Sequence, residues 1–359
     1  MYNIICMEEN NIQKKNNILV ICVLFLSVIA FLAVMKVTPA FSIPLFISFF
    51  VSLIFEPVIS FLHRRCKIPW WLCVILMVGL TAVIISLIGG LLVAALKKIA
   101  ELYPKYEERF LSIYESVAKL FKFQFNEEYS LFENLWSHLQ VREFVKNLAL
   151  SLSQGVIQFF RNFLIICLYT VFFLLEMRVF RAKFINAFDK SSKGRIGNII
   201  SGIITEVSQY MSIKFYISLA TGVLIWFGCM VIGIDFAIIW GFLAFIANFI
   251  PTFGSIVSCF VTILFSVLQF WPHPARIIAT AVFMISVNMI IGNIVEPRIQ
   301  GRELDLSPFI ILVSLTLWGY IWGFIGMIVA VPLMVIVKII CENISSLKPF
   351  AILLGSDAN

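Results

Sequence analysis

The sequence predicts an all-α protein, a polytopic transmembrane helical bundle with broken or re-entrant helices and an amphipathic helical insertion. Hydrophobic residues make up 61% of the chain and charged residues 13%, whereas soluble domains are nearer half apolar and a quarter charged. Several separate apolar runs reach about 18 residues, long enough to cross a bilayer as a helix. Strands are excluded because the runs lack barrel-strand alternation and an open sheet would leave backbone groups unpaired in lipid.

The apolar runs divide the chain into about eight candidate spanning segments. They cover residues 18–35, 40–62, 70–95, 156–176, 214–233, 236–271 as a broken pair, 275–294 and 307–338 as a hairpin. Charged residues return after position 97 while apolar residues keep helical spacing, which predicts an amphipathic helix outside the bilayer. We therefore expect N-terminal membrane helices (1–96), an extramembrane insertion (97–155), a C-terminal transport core (156–345) and a C-terminal tail (346–359).

The distribution of positive charge predicts how the chain lies in a cell inner membrane. The net charge of +7 does not form one basic stripe, which argues against a nucleic-acid partner. Lysines and arginines instead cluster in short loops, above all at 178–195 and after the second span at Arg64, Arg65 and Lys67. Positively charged short loops stay in the cytoplasm, so the insertion 97–155 is expected on the outer side.

A break is predicted in the apolar segment 236–271. Asn248, Pro251, Thr252 and Gly254 stand between its two apolar halves, where proline removes a backbone donor and glycine relaxes the chain. A helix that opens within the membrane exposes carbonyls and amides, which is tolerated where protein or a water-filled cavity surrounds them. These four residues are therefore candidates for a solute or ion pathway. The alternative is an ordinary short turn that joins two spans.

A second polar group lies where the segment 275–294 ends. Its candidate pathway residues are Asn288, Asn293, Glu296, Pro297, Arg298 and Gly301. Ionisable groups near membrane depth are costly and usually pair or bind something, so Glu296 is the first candidate for a functional acid, on one helical face with Asn293. The alternative is a carboxylate at the cytoplasmic interface that pairs with Arg298 or Arg302.

The segment 307–338 consists of two apolar stretches joined by a turn. The first stretch is short for a complete span, which favours a re-entrant hairpin. Structural roles are predicted for Trp318, Gly319, Gly323, Gly326 and Pro332. The three glycines recur at helical spacing and permit close contact between helices. The tryptophans have an alternative role as anchors at the membrane interface.

These motifs resemble those of the AI-2E transporter family, which includes the PerM-like permeases. The family's Asn-x-Ile-Pro-x-x-Gly signature is matched by Asn248, Ile250, Pro251 and Gly254, and its Pro-Arg/Lys-x-x-Gly stretch by Pro297, Arg298 and Gly301. The resemblance spans most of the chain and is sharpest after about residue 205. Two places depart from the family pattern: Asp305 stands where glycine is usual, and residues 211–214 stand where an Arg-Gly-Gln-like run is usual.

The resemblance implies a membrane permease and is compatible with a homo-oligomer. We expect secondary transport of a small polar solute, similar to autoinducer-2, by alternating access. A proton-coupled version of this transport would use Glu296, Glu206 or Asp235 as its acid. The alternatives are a cation–proton antiporter of the same fold and a non-transporting scaffold or assembly factor. No enzymatic activity, cofactor or metal site is expected, since the chain lacks Walker A, HExxH and GxSxG patterns. The expected partners are the lipid bilayer and a small solute or ion.

Overall fold

The computed structural model describes residues 23, 25–120, 155, 162–177, 183, 193–300, 306–344 and 347–355. Within these residues the chain is helical apart from short turns, and no strand occurs. The helices are α1 (Phe25–Val37), α2 (Pro39–Cys66), α3 (Trp70–Leu120), α4 (Asn162–Met177), α5 (Lys193–Gly202), α6 (Ser208–Ile232), α7 (Ala237–Ala247), α8 (Phe253–Phe270), α9 (Pro274–Ile290), α10 (Glu296–Gln300), α11 (Pro308–Trp322), α12 (Phe324–Asn343) and α13 (Lys348–Leu354). Within the described part of the chain, two π-helical segments, Ile203–Val207 and Ile291–Val295, interrupt longer helices. The all-α prediction is confirmed.

Among the described residues, six helical stretches are long and apolar enough to cross a membrane. They are Pro39–Cys66, Trp70–Ile99, Ile199–Ile232, Phe253–Phe270, Pro274–Ile299 and Phe324–Asn343. Their outward faces carry large exposed apolar side chains such as Leu80, Leu224 and Phe260, which lipid tails can cover. The chain is therefore a multi-pass membrane protein. Helices α1 and α4 correspond to the predicted spans 18–35 and 156–176, whose first residues lie outside the described part of the chain.

Hydrogen bonds between helices tie the first spans to the rest of the bundle. Pro57 lies inside α2 and has no N–H, so the Leu53 carbonyl loses its helical donor. The Ser208 hydroxyl donates to that carbonyl at 2.6 Å. The Trp70 indole N–H donates to the Leu174 carbonyl at 2.9 Å. These bonds fix α2 against α6 and α3 against α4.

The largest buried core lies between α2, α6, α11 and α12. It contains Leu53 of α2, Met211 of α6, Leu315 of α11 and Ala330 of α12. Ile250, from the turn between α7 and α8, also belongs to it. The turn of the broken segment thereby contributes to the same core as the helical pair α11–α12.

Helix α3 continues without interruption beyond its membrane-spanning part. Trp70–Ile99 is the apolar portion, and the helix then runs on to Leu120. Its 51 residues correspond to about 75 Å at a rise of 1.5 Å per residue. The predicted insertion 97–155 thus begins as an extension of the third span. Residues 121–154 of that insertion lie outside the described residues.

The extension of α3 contacts both ends of the segment that holds the predicted break. The Tyr106 hydroxyl donates to Asp235 Oδ2 at 2.7 Å in the loop before α7. The Arg109 guanidinium donates to the Trp271 carbonyl after α8. The Asp235 backbone N–H donates to Gln269 Oε1 at 2.8 Å, which joins the two ends directly. The segment therefore enters and leaves the bundle on one side, that of the α3 extension.

At this joint, we expect Tyr106→Phe to lower the free energy of unfolding by about 1.5 kcal/mol at neutral pH, because a hydrogen bond to a carboxylate is lost. Burial, followed by the hydrogen bond to Asp235, raises the pKa of Tyr106 above its ordinary value of 10.0. The folded state therefore favours the neutral hydroxyl, and this stabilisation is present below pH 10.0 and is lost as the pH rises beyond it. Thermal unfolding in detergent should show the two proteins converging at alkaline pH. A difference that stays constant across that range would contradict the assignment.

Candidate functional site

Two helical hairpins hold most of the predicted pathway and structural residues. The first hairpin consists of α7, the turn 248–252 and α8; the second consists of α11, the turn at Gly323 and α12. Helix α7 has 11 residues and is about 16 Å long, roughly half the thickness of a hydrocarbon core. Helix α8 has 18 residues and is itself long enough to cross a membrane, so the two arms of the first hairpin differ in length. The predicted break is confirmed, and α7 is too short for a complete span.

The tip of the first hairpin is tightly folded. Thr252 has a φ of 62°, a left-handed conformation that is rare for a β-branched residue and costs about 1–3 kcal/mol. A Cβ at Gly254 would lie 1.6 Å from the Ala247 carbonyl oxygen. Glycine is therefore required where the start of α8 meets the end of α7.

The second hairpin uses its glycines in the same way. Gly323 has φ 63° and ψ −140°, a region that is essentially open to glycine alone. A Cβ at Gly326 would lie 1.9 Å from the Trp318 carbonyl oxygen, and one at Gly319 would lie 3.1 Å from Met327 Cγ. The close approach inferred from glycine spacing occurs here between the two arms of one hairpin.

Both tryptophans of the second hairpin are buried. Trp318 is 7% exposed and Trp322 is 6% exposed, and their ring centroids are 5.0 Å apart. The Trp322 indole N–H donates to the Met35 carbonyl of α1 at 3.0 Å. Their surroundings are those of core residues, so the alternative role as exposed interfacial anchors does not fit. Pro332 is also buried, within α12.

One face of α6 carries a row of buried polar side chains. Its members are Tyr210, Lys214, Ser218 and Thr221, which are 6%, 4%, 0% and 1% exposed. Their spacing of four, four and three positions places them on one helical face. Polar groups buried in a membrane bundle are costly unless they are paired or bind something.

Lys214 forms an ion pair with Glu296. The ammonium nitrogen is 2.5 Å from Glu296 Oε1, and the two side chains are 5% and 20% exposed. Glu296 follows directly on the π-helical segment Ile291–Val295, and such segments occur frequently at functional sites. The sequence-based alternative proposed Arg298 or Arg302 as partner; Arg298 is exposed and Arg302 lies outside the described residues.

The tip of the first hairpin contacts the same face of α6. Asn248 Nδ2 donates to Ser218 Oγ at 3.1 Å. Ser218 is one helical turn from Lys214, about 6 Å along the axis. Tyr210 lies one turn from Lys214 in the other direction and is buried. An amide, two hydroxyls, an ammonium and a carboxylate thus lie within about three turns, a set that can bind a polar solute or an ion and exchange a proton.

Other predicted pathway residues lie apart from this group. The Asn288 amide donates to the Met284 carbonyl of its own helix at 2.9 Å and contacts Cys259 Sγ, so it serves the packing of α8 and α9. Asn293, Pro297 and Arg298 are exposed. Gly301 lies outside the described residues.

The two further candidate acids also lie elsewhere. Glu206 is exposed and interacts with Lys338 and Glu342 of α12. It precedes Lys214 by two turns, about 12 Å. Asp235 belongs to the joint with the α3 extension. Of these three acids, Glu296 is the one that is linked to the tip of the first hairpin, because both are bonded to α6.

Lys214 carries no predicted role, although it is the partner of Glu296, the first candidate for a functional acid. A signal was present, because Lys214 is the one charged residue in the 25 residues of α6. A cation within an apolar span requires a partner. Which acid it would meet could not be read from spacing, since Glu296 is 82 positions further along the chain.

Comparison with known proteins assigns these features to a family. The model described as AI-2E family transporter matches residues 24–346. The chain belongs to this family. It is 30% identical over 328 residues to a Borreliella burgdorferi protein named "Putative transport protein". This match covers 91% of this chain and 88% of the relative. It is 29% identical to the AI-2 transport protein TqsA of Escherichia coli, over 88% of this chain and 90% of TqsA.

Membership in the AI-2E family makes this chain a membrane transporter, as its motifs predict. A further relative of similar identity, the E. coli protein named "Putative transport protein YhhT", is 29% identical over 92% of each chain. The relatives' names denote transport proteins rather than enzymes. The family signature falls on the tip of the first hairpin, which contacts α6, and on the stretch that begins with Pro297, directly after Glu296.

Proposed function

We propose that this protein is a secondary transporter of the cell inner membrane that moves a small polar solute, similar to autoinducer-2, by alternating access. One observation carries the proposal: a single helix, α6, holds the hairpin tip through Ser218 and the acid Glu296 through Lys214. A change at either contact is therefore transmitted to the other across one helical turn. The name of TqsA, an AI-2 transport protein, supports the class of solute.

The Lys214–Glu296 pair supplies a coupling step. A proton that binds to the Glu296 carboxylate removes the charge that holds this residue to Lys214. The buried ammonium then lacks its counter-ion, which costs several kcal/mol. A solute oxygen can replace the lost acceptor, and Asn248 and Ser218 offer further hydrogen bonds on the next turn. Solute and proton would thus bind in turn at one place while the hairpin tip moves against α6.

A cation–proton antiporter is the second candidate for the same site. In that case a monovalent cation takes the place of the Lys214 ammonium at the Glu296 carboxylate. The non-transporting scaffold would depend instead on the insertion 97–155. A homo-oligomer is a further expectation from the family resemblance, and the proposed site draws on one chain alone.

The deciding experiment is flux into proteoliposomes under an imposed pH gradient, with autoinducer-2 and monovalent cations as trial substrates. We expect gradient-driven movement of autoinducer-2 at a rate well above that of protein-free vesicles. Cation flux that follows the gradient, without movement of autoinducer-2, would favour the antiporter. If folded, reconstituted protein moved neither, the proposed solute class would be wrong and the scaffold would gain support.

A further inference from the structure

The end of α2 that leads into α3 carries two rows of side chains that face away from the bundle. One row is Glu56, Ser60 and Arg64, and the other is Pro57, Phe61 and Arg65; each repeats every four residues, as one helical face requires. The six side chains line one open groove of about 650 Å³. Ile59, on the other side of the helix, is fully buried in a core with α3 and α4, so the groove faces outward.

The two arginines lie at the rim of this groove and are exposed. Within the described residues, neither forms an ion pair with a carboxylate. The Arg65 guanidinium lies 5.6 Å from the centroid of the Phe61 ring. Guanidinium groups bind phosphate oxygens in a two-pronged arrangement. The rim therefore offers two guanidinium groups to an anion.

The turn after α2 holds the arginines at the membrane surface. The His63 ring contacts the Ile68 carbonyl at 2.6 Å through Nδ1 and packs edge-on against Trp70 at 5.9 Å. Only residues 67–69 separate α2 from α3, so the turn cannot extend far from the bilayer. The site is thereby fixed at the level of lipid headgroups.

The rest of the groove lies deeper and is apolar. Phe61 is 56% exposed, and Pro57 is exposed as well. Pro57 precedes Arg65 by eight positions, about 12 Å towards the membrane centre. The Glu56 carboxylate also lies at this depth, two turns from Arg64. It is therefore separated along the helix from an anion bound at the rim.

We propose that this groove binds one anionic phospholipid, with the phosphate on Arg64 and Arg65 and the acyl chains along Phe61 and Pro57. Charge complementarity at the rim and an exposed apolar floor beneath it select a lipid over a soluble anion. Because the Ser208 hydroxyl of α6 donates to the Leu53 carbonyl of α2, the bound lipid steadies a helix that is bonded directly to α6, the helix that carries Lys214.

The test is native mass spectrometry of the full chain in detergent, titrated with phosphatidylglycerol and with phosphatidylcholine. We expect tighter retention of phosphatidylglycerol by the wild type, and a loss of about twenty-five-fold in Arg64→Gln/Arg65→Gln, since each basic group near an anionic lipid contributes about fivefold. The matched control is Lys97→Gln/Lys98→Gln, which removes the same charge from exposed positions at the other end of the α3 span and should keep the wild-type preference.

Three results would overturn the lipid site. They are an unchanged affinity in Arg64→Gln/Arg65→Gln, an equal loss in the lysine control, and complete displacement of the lipid by equimolar inorganic phosphate, which would indicate a soluble anion instead. Arg64→Lys/Arg65→Lys keeps both charges and the fold. We expect the affinity of this variant for phosphatidylglycerol to be severalfold lower than that of the wild type, because the ammonium lacks the two-pronged geometry of the guanidinium.

Discussion

Transport is expected to fall to background in Glu296→Gln and in Lys214→Met, and each substitution should lower the free energy of unfolding by about 3–5 kcal/mol. The large cost arises because each variant leaves one charge or polar group buried without its partner. The Lys214 side chain is only 5% exposed, so water cannot replace the carboxylate. Thermal unfolding in detergent and solute flux in proteoliposomes measure the two effects on the same preparations.

The double variant Lys214→Met/Glu296→Gln separates a structural role from a functional one. It removes both charges, so most of the lost stability should return, since neutral replacement of a buried pair is often harmless. Transport should stay at background because no titratable acid remains. The matched control is Glu176→Gln, which removes the carboxylate of the exposed pair Lys183–Glu176 at 3.7 Å and should cost less than about 1 kcal/mol. Flux restored in the double variant would show that the pair serves folding only.

The features that sequence reasoning recovered are local ones. The break at Pro251 and Gly254 follows from residues that interrupt a helix wherever they occur. The turn at Gly323 follows from apolar stretches on either side of a glycine. Composition was sufficient for the membrane assignment, since no soluble core could cover so many apolar side chains. Each of these inferences depends on residues that are adjacent in the chain.

The features that it missed depend on contacts between distant segments. Lys214 meets Glu296 only because α6 and α9 pack side by side, and the sequence offered Arg298 as a nearer basic residue. The π-helical segment Ile291–Val295 changes which way the following residues face. Asn293 was expected to share a face with Glu296 on the assumption of regular α-helix, and it is exposed while Glu296 points towards α6. No spacing rule anticipates such a segment.

The α3 extension shows the same limit at a larger scale. Charged residues reappear in the sequence after position 97, which indicated an amphipathic helix outside the membrane. The described part of this segment, up to Leu120, is helical. The bond from Tyr106 to Asp235 joins residues 129 positions apart, so the joint at the ends of the first hairpin could not be inferred from periodicity. It is this joint that shows both ends of the hairpin to lie on one side.

Gly254→Ala is expected to destabilise the protein by about 3 kcal/mol or more, at or above the upper end of ordinary overpacking costs. The added Cβ would lie 1.6 Å from the Ala247 carbonyl oxygen. This neighbour is backbone, so no change of side-chain rotamer relieves the overlap, and α8 must move away from α7. The displaced turn would withdraw Asn248 from Ser218, which should reduce flux several-fold even where the protein remains folded.

Gly79→Ala is the matched control for this substitution. Gly79 lies within α3, and no atom lies within 4 Å of a Cβ added at this position. Alanine in a helix is favoured over glycine by up to about 1 kcal/mol. We therefore expect unchanged or slightly higher thermal stability and normal flux. Equal behaviour of the two variants would mean that the first hairpin tolerates a wider turn than its geometry implies. A loss of flux in Gly254→Ala at nearly full stability would instead show that the position of the tip, rather than the survival of the fold, limits transport.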